Sequence, residues 1–288
     1  MAVKFFGQFL VEKGVVTRDD LLKAMDLQER KNLKLGEMAM AMGYVTEADI
    51  NRAHNAQLSK DIRLGDMLVE MGIMTAEQLA DVITRQKNTH LYIGEALVLV
   101  NAITSEQLQE HLDAFKADQA DYAVSGIELP MELANSPLWE MAADLTFKMI
   151  TRVLGLQYRV GKCRLDAHIA HNFMFAAIDL SGDASFRYLL SVSEGLQKTI
   201  AKAILHEDEV DGEPVEVLED TVMEFINIVC GNVAAKSSQM GKILNIEPPL
   251  TIDVPAAGLE VPQDYVALCF PIHAAEGERM ELILQIPR

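Results

Sequence analysis

The sequence predicts two domains: an all-α helical repeat region, then an α+β domain in which long helices cover an antiparallel sheet. Three observations carry this. Residues recur every 29 positions through the first 118. The register ends around Ala117 to Pro137, where Gly126, Pro130, Asn135 and Pro137 break helical continuity. Beyond it, long apolar helical stretches mix with short alternating ones bounded by turn residues. At 288 residues, half hydrophobic and 24% charged, the chain is long enough for two folded domains. The expected boundaries are 1–118 for the repeats, 119–130 for a linker and 131–288 for the second domain.

In chain order, the repeats come first. Gly7, Gly36, Gly65 and Gly94 keep the 29-residue step, and so do Thr17, Thr46, Thr75 and Thr104. Leu21, Ile50, Leu79 and Leu108 follow it, as do Gln28, Gln57 and Gln86, with Phe115 in the fourth place. Periods of this length mark stacked supersecondary units. Each unit reads as a short helix stopped by a residue such as Gly72, then a longer helix opened by a threonine cap. Thr75-x-x-Gln78 and Thr104-x-x-Gln107 are capping boxes, and Thr17-x-x-Asp20 and Thr46-x-x-Asp49 are shorter-armed versions. The one-sided apolar pattern requires neighbouring repeats to cover it.

In the second domain, a helix from Trp139 to Leu154 is stopped by Gly155, and Leu156 to Leu165 alternates like a strand. Phe173 to Asp179 and Phe186 to Val192 flank a hairpin turn at Ser181-Gly182-Asp183. A helix from Ser193 to Leu205 precedes an acidic loop, His206 to Glu213, read as solvated. Pro214 suits the first turn of the next helix, which runs towards Met240 and breaks near Gly241. Leu250 to Val254, Tyr265 to Ile272 and Met280 to Ile286 complete the sheet.

Composition excludes several functions. The formal charge is −18, from 43 acidic against 25 basic residues, which repels nucleic acid and anionic membrane and favours a basic protein partner or plain solubility. Cys163, Cys230 and Cys269 are too few for a disulfide framework, so a cytoplasmic setting is expected. No apolar run is long enough to cross a bilayer, and Glu12 and Lys13 interrupt the apolar start before any cleavage site, which argues against a signal peptide. Gly155 to Cys163 approximates a phosphate-binding loop but has the wrong glycine spacing, with Cys where a magnesium-binding hydroxyl belongs. Cys163, His168 and His171 match no common metal-ligand spacing.

The most informative stretch is Leu218 to Asn232. Val222, Ile226, Val229 and Val233 form an apolar row at helical spacing, widened by Leu218, Phe225 and Ile228. Asp220, Glu224, Asn227 and Gly231 form a narrow stripe apart from it. Asn costs a few tenths of a kcal/mol against Ala inside a helix and Gly about 1 kcal/mol, so the stripe has a purpose beyond helix formation.

Asp-x-x-x-Glu-x-x-Asn followed by Gly-Asn resembles the signature helix of the CheC/CheX/FliY phosphatases, which remove the phosphoryl group from the response regulator CheY. Pro248 and Pro249 follow one residue off the usual spacing, and the stretch from Pro271 through Gly277 to Ile286 resembles a CheX terminus. The resemblance covers residues 130–288 and implies a CheX-like α+β domain. It implies that Asn227 positions the attacking water and Glu224 pairs with the receiver's lysine. Asp220 and Gly231 support the site, the latter by leaving room for the partner's backbone. The chain needs no cofactor of its own, because Mg2+ sits on the CheY-like receiver. The family often has two such helices; Ser136, Glu140 and Ala143 occupy matching positions but lack the amide, so one working site is expected. A homodimer is a further implication.

The third repeat, Arg63-Leu64-Gly65 continuing to Leu68, Gly72, Leu79, Ile83 and Gln86, resembles the N-terminal motif of GspE/MshE-type ATPases (MshEN-like). In one branch of that family, tandem motifs with a five-residue spacer bind cyclic di-GMP. Residues 58–62 and 87–91 supply such spacers. The implied ligand contacts are Lys34, Leu35 and Gly36 in copy two and Arg63, Leu64 and Gly65 in copy three, the glycines leaving space for the ligand. Phe5, Lys34 and Tyr92 stand where Arg is expected in copies one, two and four, Ala39 replaces Leu in copy two, and Asn101 replaces Gly in copy four. The alternative is a helical domain that docks another protein or packs on the phosphatase half. At the level of the whole chain, a non-catalytic cyclic di-GMP-responsive adaptor stands against a cyclic di-GMP-regulated phosphatase.

Overall fold

The structure is a computed structural model that describes residues 5–57, 60, 62–119, 127–131 and 133–288. The chain divides into two compact units, Met1–Asp121 and Tyr122–Arg288. Of the linker expected at 119–130, residues 120–126 lie outside the described residues, as do 58, 59 and 61 of the first spacer.

The first unit is helical: α1 (Phe6–Glu12), α2 (Arg18–Lys31), α3 (Leu35–Ala41), α4 (Glu47–Gln57), α5 (Leu64–Glu70), α6 (Ala76–Thr89), α7 (Ile93–Leu99) and α8 (Ser105–Asp118). The threonine hydroxyls of Thr17, Thr75 and Thr104 accept from the N–H three residues on, at 3.1, 3.2 and 3.3 Å. Each thus satisfies an N–H that the first helical turn leaves over. The short helices end at Gly14, Gly43, Gly72 and Asn101, all with φ between 59° and 73°. Asn101 therefore fills a position that requires the left-handed region, where Asn is the best tolerated residue after Gly.

Coverage by neighbours, expected from the sequence, holds for the middle two segments, whereas the outer two cover each other. The first 29-residue segment packs with the fourth (Phe9, Leu10, Ala24, Leu97, Phe115), and the second with the third (Met38, Ala39, Ala53, Met67, Leu68, Val82). The glutamines act as latches between partners. Gln57 donates to the Ile62 carbonyl at 2.8 Å and Gln86 returns the bond to Leu33 at 2.9 Å, joining segments two and three reciprocally. Gln28 donates to Leu91 at 3.0 Å, joining one and four. In the fourth segment Phe115 replaces the amide and packs on Phe6 and Phe9, with ring centroids 5.3 and 5.4 Å away.

The second unit begins with α9 (Ser136–Leu154), stopped by Gly155 at φ 63°. Then come β1 (Tyr158–Val160), β2 (Arg164–Leu165), β3 (His168–Ile169), β4 (Met174–Gly182), β5 (Phe186–Val192), α10 (Glu194–Leu205) and α11 (Val215–Gln239). The chain closes with β6 (Leu244–Ile246), β7 (Leu250–Thr251), β8 (Leu259–Glu260), β9 (Tyr265–Ala274) and β10 (Arg279–Pro287). Among the described residues the main sheet is antiparallel with spatial order β1-β9-β10-β5-β4-β6; β2 also pairs with β9 and β7 with β4. Helices α9, α10 and α11 supply Trp139, Leu145, Ile200, Phe225 and Val229 to the core on one sheet face. On the other face Phe175, Leu189, Cys269 and Ile283 are covered by Ile252, Val254, Leu259 and Val261.

Two sequence expectations need correction. The strand expected over 156–165 is split into β1 and β2. Pro271 of β9 accepts from the Gly161 N–H at 2.8 Å but has no N–H to return, so the ladder breaks there. The strand expected over 250–254 shortens to β7, because the chain then leaves the edge to cover the second face. The β3–β8 pair and β6 were not expected; each is too short to show alternation.

Candidate functional site

α11 is the longest helix described, and its two faces differ. Leu218, Val222, Phe225, Ile226, Val229, Cys230 and Val233 are buried against the sheet and its neighbouring helices. Its buried polar side chains bond backbone carbonyls close by in the chain: Thr221 to Leu218 at 2.7 Å, Asn232 to Ile228 at 2.8 Å and Ser237 to Lys242 at 2.9 Å. Burial of the apolar face holds the helix in one rotation about its axis. That rotation puts Asp220, Glu224, Asn227 and Gly231 on the exposed side. Among the described residues, no hydrogen bond or ion pair engages the side chains of Glu224 or Asn227. A carboxylate, which only accepts, and a carboxamide, which accepts and donates, thus stand free one turn apart.

α9 shows what the same spacing does in another rotation. The Ser136 hydroxyl is tied to the backbone of Leu133, accepting at 3.1 Å and donating at 2.8 Å. Glu140 is exposed, but Ala143 is fully buried in the core. The position matching Asn227 therefore faces inward and offers no second site.

Residues 174–273 match the family model of the chemotaxis phosphatase CheX. The matched span runs from β4 into β9 and contains the whole of α11; it leaves the N-terminal unit and α9 outside. Solved structures similar to this chain include a chemotaxis protein CheX from Desulfovibrio desulfuricans, 17% identical, with TM-score 0.45, covering 51% of this chain and 97% of that one. A CheX-CheY-BeF3-Mg+2 complex from Borrelia burgdorferi is 18% identical, with TM-score 0.45 and coverage of 52% and 98%. CheX from Vibrio vulnificus is 18% identical, with TM-score 0.45 and coverage of 52% and 99%. No curated protein matches.

In the N-terminal unit, Lys34 and Arg63 are exposed N-cap residues of α3 and α5, and Leu35 and Leu64 are half-buried. Gly36 and Gly65 are buried. A Cβ on Gly36 would meet Ile50 at 3.0 Å, and one on Gly65 would collide with Leu79. Gly7 and Gly94 stand in the same relation to Leu21 and Leu108. Close packing of the short helix on the longer one therefore explains the glycine at this register position, and ligand clearance is not required.

The residues considered for a metal are engaged elsewhere. His168 pairs with Glu260 at 2.8 Å, His171 with the Val254 carbonyl at 3.1 Å, and burial pushes the Cys163 thiol up to about 12. The sequence did not point to a second cluster, Asp166, Cys269 and Glu281, whose ligand atoms lie within 4.8 Å of one another. Arg164 already supplies the cation there, reaching Asp166 at 2.8 Å and Glu281 at 2.7 Å. Burial raises both the Cys269 thiol and the Glu281 carboxyl, which disfavours the charged forms a metal needs. The acidic loop is anchored by buried Val210 and by Asp211, which pairs with Lys198 at 2.9 Å.

Proposed function

We propose that this chain is a CheX-type phosphatase that hydrolyses the aspartyl phosphate of a CheY-like receiver. The observation that carries the reading is the exposed, unengaged pair Glu224 and Asn227 on α11, inside the span that matches the CheX family model. An acyl phosphate is already activated, and the receiver brings Mg2+ and a lysine. What remains is to hold a water in line with the leaving oxygen. The Asn227 amide accepts from and donates to that water. As the water oxygen bonds to phosphorus, the bond from phosphorus to the aspartyl oxygen breaks, leaving free aspartate and inorganic phosphate. Glu224 pairs with the receiver's lysine and sets the docking register. Asp220 supports the site from one turn upstream. The charge of −18 favours a basic partner surface.

The test is the decay of phosphorylated receivers from the same organism. The parent protein accelerates it, Asn227→Ala loses about a hundredfold or more while still binding, and an unchanged decay rate with the parent refutes the activity. The reading includes a cytoplasmic setting, and no described helix is long and apolar enough to cross a membrane. It also includes a homodimer, checked by sedimentation.

Regulation by cyclic di-GMP through the N-terminal unit is the second part of the proposal. Its support is that α3 and α5, whose N-caps are the exposed Lys34 and Arg63, pack together, with Leu35 at 3.4 Å from a Cβ position on Gly65. Titration calorimetry should give binding that Arg63→Ala abolishes. Binding without any phosphatase activity would favour the adaptor instead, and no heat would remove the ligand from both readings.

A further inference from the structure

We infer that Asn232 is a positioning residue, which braces the turn of α11 beside Asn227. The inference rests on the phosphatase reading and adds to it a group that touches neither the receiver nor the water. It starts from a side chain that the core alone would not select. Asn232 is 4% exposed and lies on the buried side of α11 with Leu218, Phe225, Val229 and Val233. An amide there gives up its water, and asparagine is a poorer helix former than a leucine of the same branching.

The bond that this amide makes indicates its use. Its Nδ2 donates to the Ile228 carbonyl at 2.8 Å. In a helix that carbonyl already accepts from the Asn232 N–H, four residues on. The side-chain bond therefore rescues no orphaned acceptor. It gives one carbonyl two donors from the same residue and fixes its tilt within the turn.

The turn so held adjoins the candidate site. Asn227 immediately precedes Ile228, and residues 228–232 form the next turn of α11. That turn contains Gly231, and glycine inside a helix is disfavoured about fivefold relative to alanine. The backbone is thus softest just beyond Asn227, where in-line attack tolerates little movement. A misplacement of about 1 Å costs on the order of a hundredfold in rate. The other buried polar side chains described in α11 act elsewhere. Thr221 bonds back to Leu218 near the start of the helix, and Ser237 reaches Lys242 beyond its end.

The test compares the parent with Asn232→Leu, Asn232→Ser and Thr221→Val. Leucine removes the second donor, whereas serine keeps a hydroxyl that can bond the same carbonyl. The readouts are amide hydrogen exchange, thermal unfolding and steady-state dephosphorylation of the organism's stand-alone receivers, phosphorylated with phosphoramidate. Asn232→Leu should lower kcat about tenfold with KM held within about twofold. Exchange at residues 228–232 should quicken about tenfold, while the melting temperature stays within about 4 °C of the parent's. Asn232→Ser should recover kcat to within about threefold, and Thr221→Val should leave it unchanged. The positioning role is overturned, with the phosphatase reading intact, by a parent-like kcat in the leucine variant or by a serine variant equally slow. An equal loss in Thr221→Val, which would mark a general effect of weakening the helix, overturns it too. Should leucine prevent folding, Asn232→Ala takes its place against serine and is read by the same split. If the parent leaves receiver decay unchanged, both readings fall together.

Discussion

α9 and α11 lie on the same face of one sheet and share a sequence spacing, yet only α11 presents it to solvent. In α9 the carboxylate of Glu140 is outside and Ala143 is sealed in the core with Trp139, Ala142 and Thr146. In α11 both Glu224 and Asn227 are outside. A helix on a sheet has one rotational setting, chosen by where its largest apolar residues point. In α9 the Trp139 indole fixes that setting, meeting Phe186 at 5.0 Å between ring centroids and donating to the Ala134 carbonyl at 2.7 Å. The difference teaches that a spaced pair of polar residues becomes a candidate site only when packing elsewhere on the helix turns both outward.

This contrast can be broken or sharpened by substitution. The largest effect is expected from Ala143→Asn, which restores the spacing in α9 on the wrong side. It should cost about 1–3 kcal/mol in urea unfolding, from burying an amide without partners, and create no second active site. A second catalytic site without loss of stability would overturn the comparison. Glu224→Ala should weaken receiver binding about tenfold, as loss of a charge-assisted pair does, whereas Glu140→Ala should leave it unchanged; titration of both against a beryllium fluoride-loaded receiver checks this.

Much of this contrast was legible in the sequence, because α11 separates its apolar row from its polar stripe over several turns. Ile228 alone among the expected row is only half-buried. The rotation of α9 was less legible, since Met141, Ala142 and Ala143 are all small or apolar and spacing alone did not say which of them points inward. In the N-terminal unit the 29-residue register located the helices and their threonine caps. It did not show that segment one pairs with four and two with three. The long-range bonds from Gln28 and Gln86 mark that pairing, and a repeated glutamine does not name its acceptor. The glycines were read as ligand clearance, and the residue that a side chain at Gly65 would meet, Leu79, sits at the same 29-residue register. The Arg164 cluster was invisible because its acids come from a loop and a strand far apart in the chain.

Smaller effects are expected in the N-terminal unit. Gln57→Leu and Gln86→Leu each remove one half of the reciprocal latch and leave a carbonyl unmatched, so each should lower stability by about 1 kcal/mol in urea unfolding. The smallest concerns acid. The Thr46 hydroxyl, the Thr46 N–H and Arg52 hold the Asp49 carboxyl down to about 2, against an ordinary value of 3.8. A depressed carboxylate contributes stability that is present above the ordinary value and lost as pH falls towards the folded one. Asp49→Asn should therefore flatten the loss of stability between those two pH values, and an unchanged acid profile would show that the cap does not matter.

The central claim is that Asn227, held outward beside Glu224, positions the water that cleaves an aspartyl phosphate. Single-turnover decay of a phosphorylated CheY-like receiver with the parent and with Asn227→Ala tests it most directly. The account predicts fast decay with the parent and a loss of about a hundredfold or more with the variant, binding being retained. Decay that is equally fast with both proteins would contradict it.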